Sequence, residues 1–103
     1  MNFVWTWGGT FFGYMEGENL WTSAGKHIGK VRRGTVFGAD GHYLGELRSG
    51  NRLIRQVGEQ TQSIPPYTPY TTRTPSTQYA NAASHPMLPG YEDFPPPETF
   101  GEE

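Results

Sequence analysis

Leu20-Trp21-Thr22-Ser23-Ala24-Gly25-Lys26-His27-Ile28-Gly29-Lys30-Val31 is the stretch that decides the fold, because its pattern recurs along the chain. A first copy begins at Val4, a third at Val36 and a weaker fourth at Leu53, so the period is close to sixteen residues. Self-similarity at a fixed period indicates one supersecondary unit that is used repeatedly. We therefore predict that a small structural unit repeats through the first two-thirds of the chain.

Each copy predicts two short strands joined by a tight turn. Two apolar residues open the copy, as in Leu20-Trp21, and a pair that ends in glycine follows, as in Ala24-Gly25. Such pairs favour two-residue hairpin loops in which both residues have a positive φ. The turn glycines are Gly9, Gly25, Gly41 and Gly58. We predict an all-β fold of four consecutive hairpins around a pseudo-four-fold axis, because closure protects the sheet edges.

A second glycine in the first three copies predicts a bend in the second strand. Apolar residues three positions apart lie around it, as Ile28 and Val31 do around Gly29. Such residues face opposite sides of a regular strand, so both reach one core only if the strand bulges or bends. The bend glycines are Gly13, Gly29 and Gly45. The fourth copy has Thr61 and Gln62 at the equivalent positions, which leaves the completion of a fourth hairpin open.

The stretches 20–29 and 36–45 together resemble the four-fold β-flower domain of small bacterial proteins. The resemblance covers about residues 3–60. It implies four petal-like hairpins around a central axis. It implies no known biochemical activity.

The composition changes abruptly near Ile64. All nine prolines follow this residue, whereas residues 1–64 hold twelve of the fourteen glycines. Residues 1–64 carry seven basic and five acidic side chains, and residues 65–103 carry one basic and five acidic. Dense proline prevents helices and sheet ladders. We therefore predict a repeat domain at 1–64 and an acidic, irregular, solvated tail at 65–103.

The tail contains six aromatic residues, which is more than an inert linker needs. Proline-rich segments with aromatic anchors bind grooves at a low entropic cost. The stretch 88–95 combines acidic and aromatic side chains, so Tyr91 and Phe94 are candidate contact residues for an unidentified protein partner. A domain of about 60 residues has a small core, which leaves self-association open as well.

The sequence contains no pattern that predicts a reaction centre. His27, His42 and His85 lack metal-ligand spacing, and the chain has no cysteine. We therefore expect no enzyme activity, no metal and no cofactor. Since no apolar run reaches the length of a membrane span and no leader pattern is present, we expect a cytoplasmic protein.

The leading functional hypothesis is a non-enzymatic protein-interaction or scaffold module whose tail or hairpin rim binds a protein. The alternative is a module that binds nucleic acid or glycan through basic and aromatic side chains. Trp7 is the aromatic residue that has no counterpart in the other copies, so we expect it to be exposed. With Trp7, the candidate contact residues of the repeat domain are Tyr43, Arg32 and Arg33.

Overall fold

Strands follow the sequence repeat closely in the computed structural model of the protein, which describes residues 1–49 and 51–100. They are β1 Asn2–Thr6, β2 Phe11–Glu16, β3 Asn19–Thr22, β4 His27–Arg32, β5 Thr35–Phe37, β6 Tyr43–Arg48, β7 Arg52–Gln56 and β8 Tyr91–Asp93. A 3₁₀ helix at Pro97–Phe100 follows β8. Gly50 and the tail residues 101–103 lie outside the described residues. The all-β fold class is confirmed.

A single sheet contains the eight strands in chain order and closes on itself. Consecutive strands pair antiparallel, and β1 also pairs in parallel with β7, through Trp5 with Arg52 and Thr6 with Leu53. Strands β1 to β7 therefore form a closed barrel. β8 pairs with the part of β7 that β1 leaves free. We call β1–β2, β3–β4 and β5–β6 the first, second and third hairpins.

Each of these three hairpins has a bulge where a bend was expected. In the first hairpin the register shifts between Val4 and Trp5, which leaves Phe12 as an extra residue just before Gly13. The same shift occurs in the second and third hairpins. Because a bulge turns residues three positions apart to the same side, Phe12 and Met15 both pack in the core. A Cβ at Gly13 would collide with the backbone of the next strand.

Equivalent positions of the repeat meet in one hydrophobic core. The first apolar residue of each of the four copies is fully buried, and the bulge residues pack against these four. Burying one such side chain contributes about 1.5–3 kcal/mol relative to leaving it exposed. The core consists of Val4, Phe12, Met15, Leu20, Ile28, Val36, Leu53 and Phe94, with Val31, Leu44, Leu47 and Phe100 partly buried around it.

The fourth hairpin does not form from consecutive residues. Leu53 and Ile54 are fully buried in β7, but Thr61 and Gln62 are exposed and belong to no strand. β8 lies beside β7 instead, and Phe94, which follows β8, is 1% exposed in the core. Thr61 and Gln62 offer neither the apolar side chain nor the glycine that the second strand requires. The tail therefore supplies both a partner strand for β7 and a core residue that the fourth copy lacks.

The prediction that both turn residues have a positive φ is wrong. At the first tip the N–H of Gly9 donates to the carbonyl of Thr6 at 2.9 Å, so the β-turn begins before Gly8. Only the last glycine of each turn has a positive φ, which is 99° at Gly9, 95° at Gly25 and 85° at Gly41. A β-turn that ends in a left-handed glycine places no such demand on the preceding residue, which explains why that residue varies between copies.

Residues 64–94 lie across the tips of the hairpins, so the expectation of a solvated tail is wrong for this segment. We call residues 64–94 the strap. The tips that it crosses, Trp7–Gly9, Ser23–Gly25 and Ala39–Gly41, form the rim. The strap meets the rim first at Ile64, where the composition of the chain changes, and enters the sheet at β8.

We expect F94A to remove most of the protein's stability. Replacing a buried Phe by Ala costs about 3–5 kcal/mol, which is comparable with the total stability of a small domain. F100A is a matched control, because Phe100 is only partly buried against the same core. Denaturant unfolding should show a clearly larger loss for F94A, and F94L should fold with an intermediate loss. Equal losses for F94A and F100A would show that Phe94 is not the missing core residue.

Candidate functional site

The same pair of hydrogen bonds holds the strap to the rim at three successive tips. Two strap N–H groups, three residues apart, donate to the turn glycine's carbonyl and to the carbonyl two residues before it, at 2.7–3.0 Å. The bonds are Ile64 N to Gly41 O, Tyr67 N to Ala39 O, Arg73 N to Gly25 O, Ser76 N to Ser23 O, Ala82 N to Gly9 O and His85 N to Trp7 O. The strap contacts thus repeat every nine residues and cross the hairpins in reverse chain order.

Every third residue of the strap faces the body of the protein. Within residues 64–94, all the residues that are not exposed lie at multiples of three from Ile64. They are Ile64, Tyr67, Ser76, Ala82, His85, Leu88, Tyr91 and Phe94. A period of three residues is that of a polyproline II chain, which has no internal hydrogen bonds and so leaves its N–H groups for a partner.

A sequence signal for the strap exists and was missed. The aromatic residues of the strap are all separated by multiples of three, namely Tyr67, Tyr70, Tyr79, Tyr91 and Phe94. The six rim donors include no proline, and the strap's prolines occupy the other two positions of the period, namely Pro65, Pro66, Pro69, Pro75, Pro86 and Pro89. Because proline has no N–H to donate, this placement keeps every donor that the rim requires.

The second hairpin holds the strap through stacked side chains as well. The ring of Tyr70 lies parallel to the ring of Trp21, with 6.1 Å between centroids. The guanidinium of Arg73 lies 3.8 Å from the centroid of the Trp21 ring and pairs with Glu16 at 2.6 Å. A guanidinium on an indole face is attracted by the ring quadrupole, so strap and hairpin are joined by charge as well as by main-chain bonds.

His27 binds the strap through a nitrogen that must be unprotonated. Its side chain is buried, with Nε2 3.1 Å from the carbonyl oxygen of Gly29 and Nδ1 3.0 Å from the main-chain nitrogen of Tyr70. Since the carbonyl only accepts and the N–H only donates, Nε2 carries the proton and Nδ1 accepts. Burial lowers the pKa of His27 below 6.5, the bond to Gly29 opposes this, and the cations Lys30 and Arg73 lower it further.

The prediction that Trp7 is exposed is wrong. Its side chain is only 8% exposed, and its Nε1 donates to the carbonyl of Pro86 at 2.9 Å. Its ring packs edge-on against His85, with 4.9 Å between centroids. Trp7 therefore contacts the strap at the first tip and is not a free contact residue.

The candidate residues Tyr43, Tyr91 and Phe94 are also engaged inside the protein. The hydroxyl of Tyr43 accepts the N–H of Gln56 at 2.9 Å, and burial raises the pKa of Tyr43 to about 12. The hydroxyl of Tyr91 accepts from Arg48 at 2.7 Å, and Phe94 lies in the core. The acidic and aromatic stretch that we expected to face a partner thus completes the sheet instead.

Arg32 and Arg33 lie together at a cleft beside the β4–β5 turn. The cleft has a volume of about 680 Å³ and extends to Ile64 at the start of the strap. Arg32 pairs with Glu18 at 3.1 Å. Arg33 is exposed, and no partner for its side chain is found in the part of the chain that the structure describes.

Most other basic side chains make contacts within the protein. Three further ion pairs join Arg48 to Glu46, Arg55 to Glu92 and Arg73 to Glu16. Lys30 lies over the ring of Tyr67, Lys26 donates to the carbonyl of Phe100, and Arg52 donates to the carbonyl of Trp7. Positive charge is therefore largely balanced by contacts with carboxylates, carbonyls and rings.

The described residues contain neither a metal-binding cluster nor a membrane-spanning helix. Within residues 1–49 and 51–100, no three His, Asp or Glu side chains are grouped as a metal site would require. No helix in these ranges is long and apolar enough to cross a membrane.

The sequence pattern that this chain shares with other proteins includes most of the strap. The family model described as 4-fold beta flower protein matches residues 1–92. The chain belongs to this family. The match confirms the resemblance seen in the hairpins and reaches Glu92 in β8, so the β-flower pattern extends over most of the strap. No curated protein and no solved structure matches this β-flower chain.

We expect G25A to release the strap of this β-flower from the second tip. A Cβ at Gly25 would collide with the carbonyl of Arg73. G58A is the matched control, because Gly58 has a similar φ of 98° but no neighbour within 4 Å of the added Cβ. Losing two hydrogen bonds of about 0.5–1.5 kcal/mol each should speed hydrogen exchange at the Arg73 and Ser76 amides about tenfold or more. The prediction fails if G25A and G58A exchange alike at these amides.

We also expect acid to weaken the contact between His27 and the strap. Because the folded-state pKa lies below 6.5, the unfolded chain binds the proton more tightly, and the free energy of unfolding falls as the pH drops below about 6.5. Above that pH the contribution of neutral His27 is complete. Urea unfolding between pH 7.5 and 5 should show this fall in the wild type and in H42Q, but a smaller one in H27Q. An equally steep fall in H27Q would refute the assignment.

Proposed function

We propose that the protein is a non-enzymatic interaction module whose rim binds extended, proline-rich protein segments, with its own strap as the resident segment. The observation that carries this proposal is the identical pair of main-chain bonds from the strap to three successive tips. Main-chain bonds supply affinity without regard to sequence, and pockets for alternate side chains supply specificity. The rim thus has both components of a peptide-binding surface.

The chemistry of the strap indicates which segments the rim would accept. A suitable segment keeps N–H donors at paired positions three residues apart and has its prolines at the other two positions of the three-residue period. Aromatic side chains at the inward-facing positions of the three-residue period add contacts. Tyr70 stacks on Trp21, and the ring centroids of Tyr79 and Phe3 are 4.5 Å apart. A proline-rich chain has already lost much of its conformational entropy, so it binds at a low cost.

β8 anchors the end of the strap, and we propose that it serves as the second strand of the fourth hairpin. Phe94, which follows β8, is buried, whereas Tyr70 and Tyr79 are 58% and 45% exposed. The middle of the strap is therefore held mainly by hydrogen bonds, by rings that stay half exposed and by the contacts of Arg73 with Trp21 and Glu16. A partner's segment would replace this middle part while β8 stays in the sheet.

The alternative ligands, nucleic acid and glycan, have weaker support. Trp7 and Tyr43 are buried and hydrogen-bonded within the protein, and Arg32 pairs with Glu18. An enzymatic role also has weak support, because both ring nitrogens of buried His27 are engaged. The proposed module uses no cofactor. A cytoplasmic location stays a prediction.

A truncation at Ile64 would be a poor test, because it removes β8 and the core residue Phe94. The better experiment loosens the strap in the full chain with Y70A and R73A together. A fluorescent peptide of residues 64–88 should bind this variant at least tenfold more tightly than the wild type. The reason is that the wild-type strap competes at an effective concentration in the millimolar range.

A control peptide has the same composition but carries its aromatic residues one position out of the three-residue register, and it should bind weakly. Hydrogen exchange at residues 73 and 76 reports independently whether the strap is loose. If the strap is loose and the variant binds neither peptide, the proposal is wrong. Equal binding of both peptides would show that the rim does not distinguish the positions of the aromatic residues, which would contradict the proposal. Steeply salt-dependent binding of an oligonucleotide would favour nucleic acid as the ligand.

A further inference from the structure

We propose that the strap exchanges between two copies of this chain, so that the rim and the β7 edge of each copy bind the strap of the other. This inference rests on the proposed function, since it requires a rim that accepts a strap in trans. It names the partner as a second copy of the chain. Domain swapping of this kind reuses contacts that already exist within one molecule.

A short tether links the strap to the body, by which we mean the barrel of strands β1 to β7. Residues 57–63 are exposed apart from Gln60, and their contacts with the body are few. Ser63 forms an isolated bridge with His42, and Gln62 lies 3.4 Å from the hydroxyl of Thr35. Exchange therefore has to rearrange the tether, while the contacts of the strap are re-formed in the other copy.

A released strap leaves a site that its counterpart in a second copy fits. Withdrawal of β8 opens the edge of β7 and empties the place of Phe94, whose ring packs against Phe12 with 5.4 Å between centroids. An open strand edge together with an apolar gap favours recapture of a matching strand. The sequence that matches best is the one already fitted to it, which a second copy carries.

Charge favours the same pairing. Residues 1–63 carry seven basic and five acidic side chains, whereas the strap carries one basic and two acidic, so the net charges of the body and the strap are opposite in sign. Specific pairs would form again in trans. Glu92 of the strap meets Arg55 at 3.3 Å, and Arg73 of the strap meets Glu16 at 2.6 Å.

The length of the tether limits the geometry of the exchanged dimer. A tether of residues 57–63 spans at most about 25 Å when it is fully extended. The two bodies must therefore lie side by side, with β7 of one copy near the third hairpin of the other. The cleft at Arg33, which Gln62 and Ile64 also line, lies at this junction.

The test uses two full-length single-cysteine variants, which is straightforward because the natural chain has no cysteine. Ser76 donates its N–H to the carbonyl of Ser23 at 2.8 Å, so the two side chains start from adjacent backbones. One variant is S23C and the other, with a different tag, is S76C. After brief partial unfolding and refolding together at high concentration, oxidation should yield a disulfide-linked heterodimer whose amount rises with protein concentration.

Two controls make the result decisive. The double variant S23C/S76C at low concentration should form an internal disulfide, which shows that the pair can be bridged. In a parallel mixture S84C replaces S76C. Ser84 precedes His85, which binds the first tip and not the second, so this mixture should give at least fivefold less heterodimer with S23C. If the double variant closes internally but the S23C and S76C mixture gives no excess over the S84C mixture, exchange between copies is wrong.

The outcome is separable from that of the proposed function. Binding of the strap peptide to the loosened variant, together with no heterodimer, would overturn exchange and leave the rim as a peptide-binding surface. Failure of the peptide to bind would overturn the proposed function itself.

Discussion

The residues that directly follow β7 do not form a strand that pairs with it. The pairing of β8 with the free edge of β7 is therefore the constraint on which the rest of the structure depends. The first three copies each close a hairpin locally, but residues 61 and 62 cannot do so. The chain must therefore return over a distance of some thirty residues to fill the edge and the core. The path of that return lies across the rim, so the strap follows from the incomplete fourth copy.

Two repeats of different period are matched along this path. The rim offers carbonyls with a period of about sixteen residues, and the strap offers N–H groups with a period of nine. The match is possible because the chain uses about sixteen residues to build one hairpin and reach the next tip, whereas the extended strap needs only nine residues to cross from one tip to the next. Each of the rim glycines Gly9, Gly25 and Gly41 contributes twice, since its positive φ closes the turn and its lack of a Cβ lets the strap backbone approach.

The energy that holds the strap is unevenly distributed. Its middle part is held by six main-chain bonds of about 0.5–1.5 kcal/mol each and by rings that stay half exposed, as at Tyr70 and Tyr79. Its end is held by the burial of Phe94. A segment that is strongly anchored at one end and weakly held elsewhere is suited to local release. His27 makes one of the weak contacts dependent on pH, because only its neutral form accepts the amide of Tyr70.

The sequence by itself determined three of the hairpins, the bulges at the bend glycines and the burial of the first apolar residue of each copy, because these features follow from local periodicity. It also contained the three-residue period of the strap, although that period reveals only that one face is covered. Tertiary structure alone decided that Trp7 binds Pro86, that Phe94 fills the core and that the rim is the covering surface. These contacts join residues more than twenty positions apart, and an extended chain carries no local signal for its partner. Its partner is the surface whose carbonyls match its free N–H groups in position.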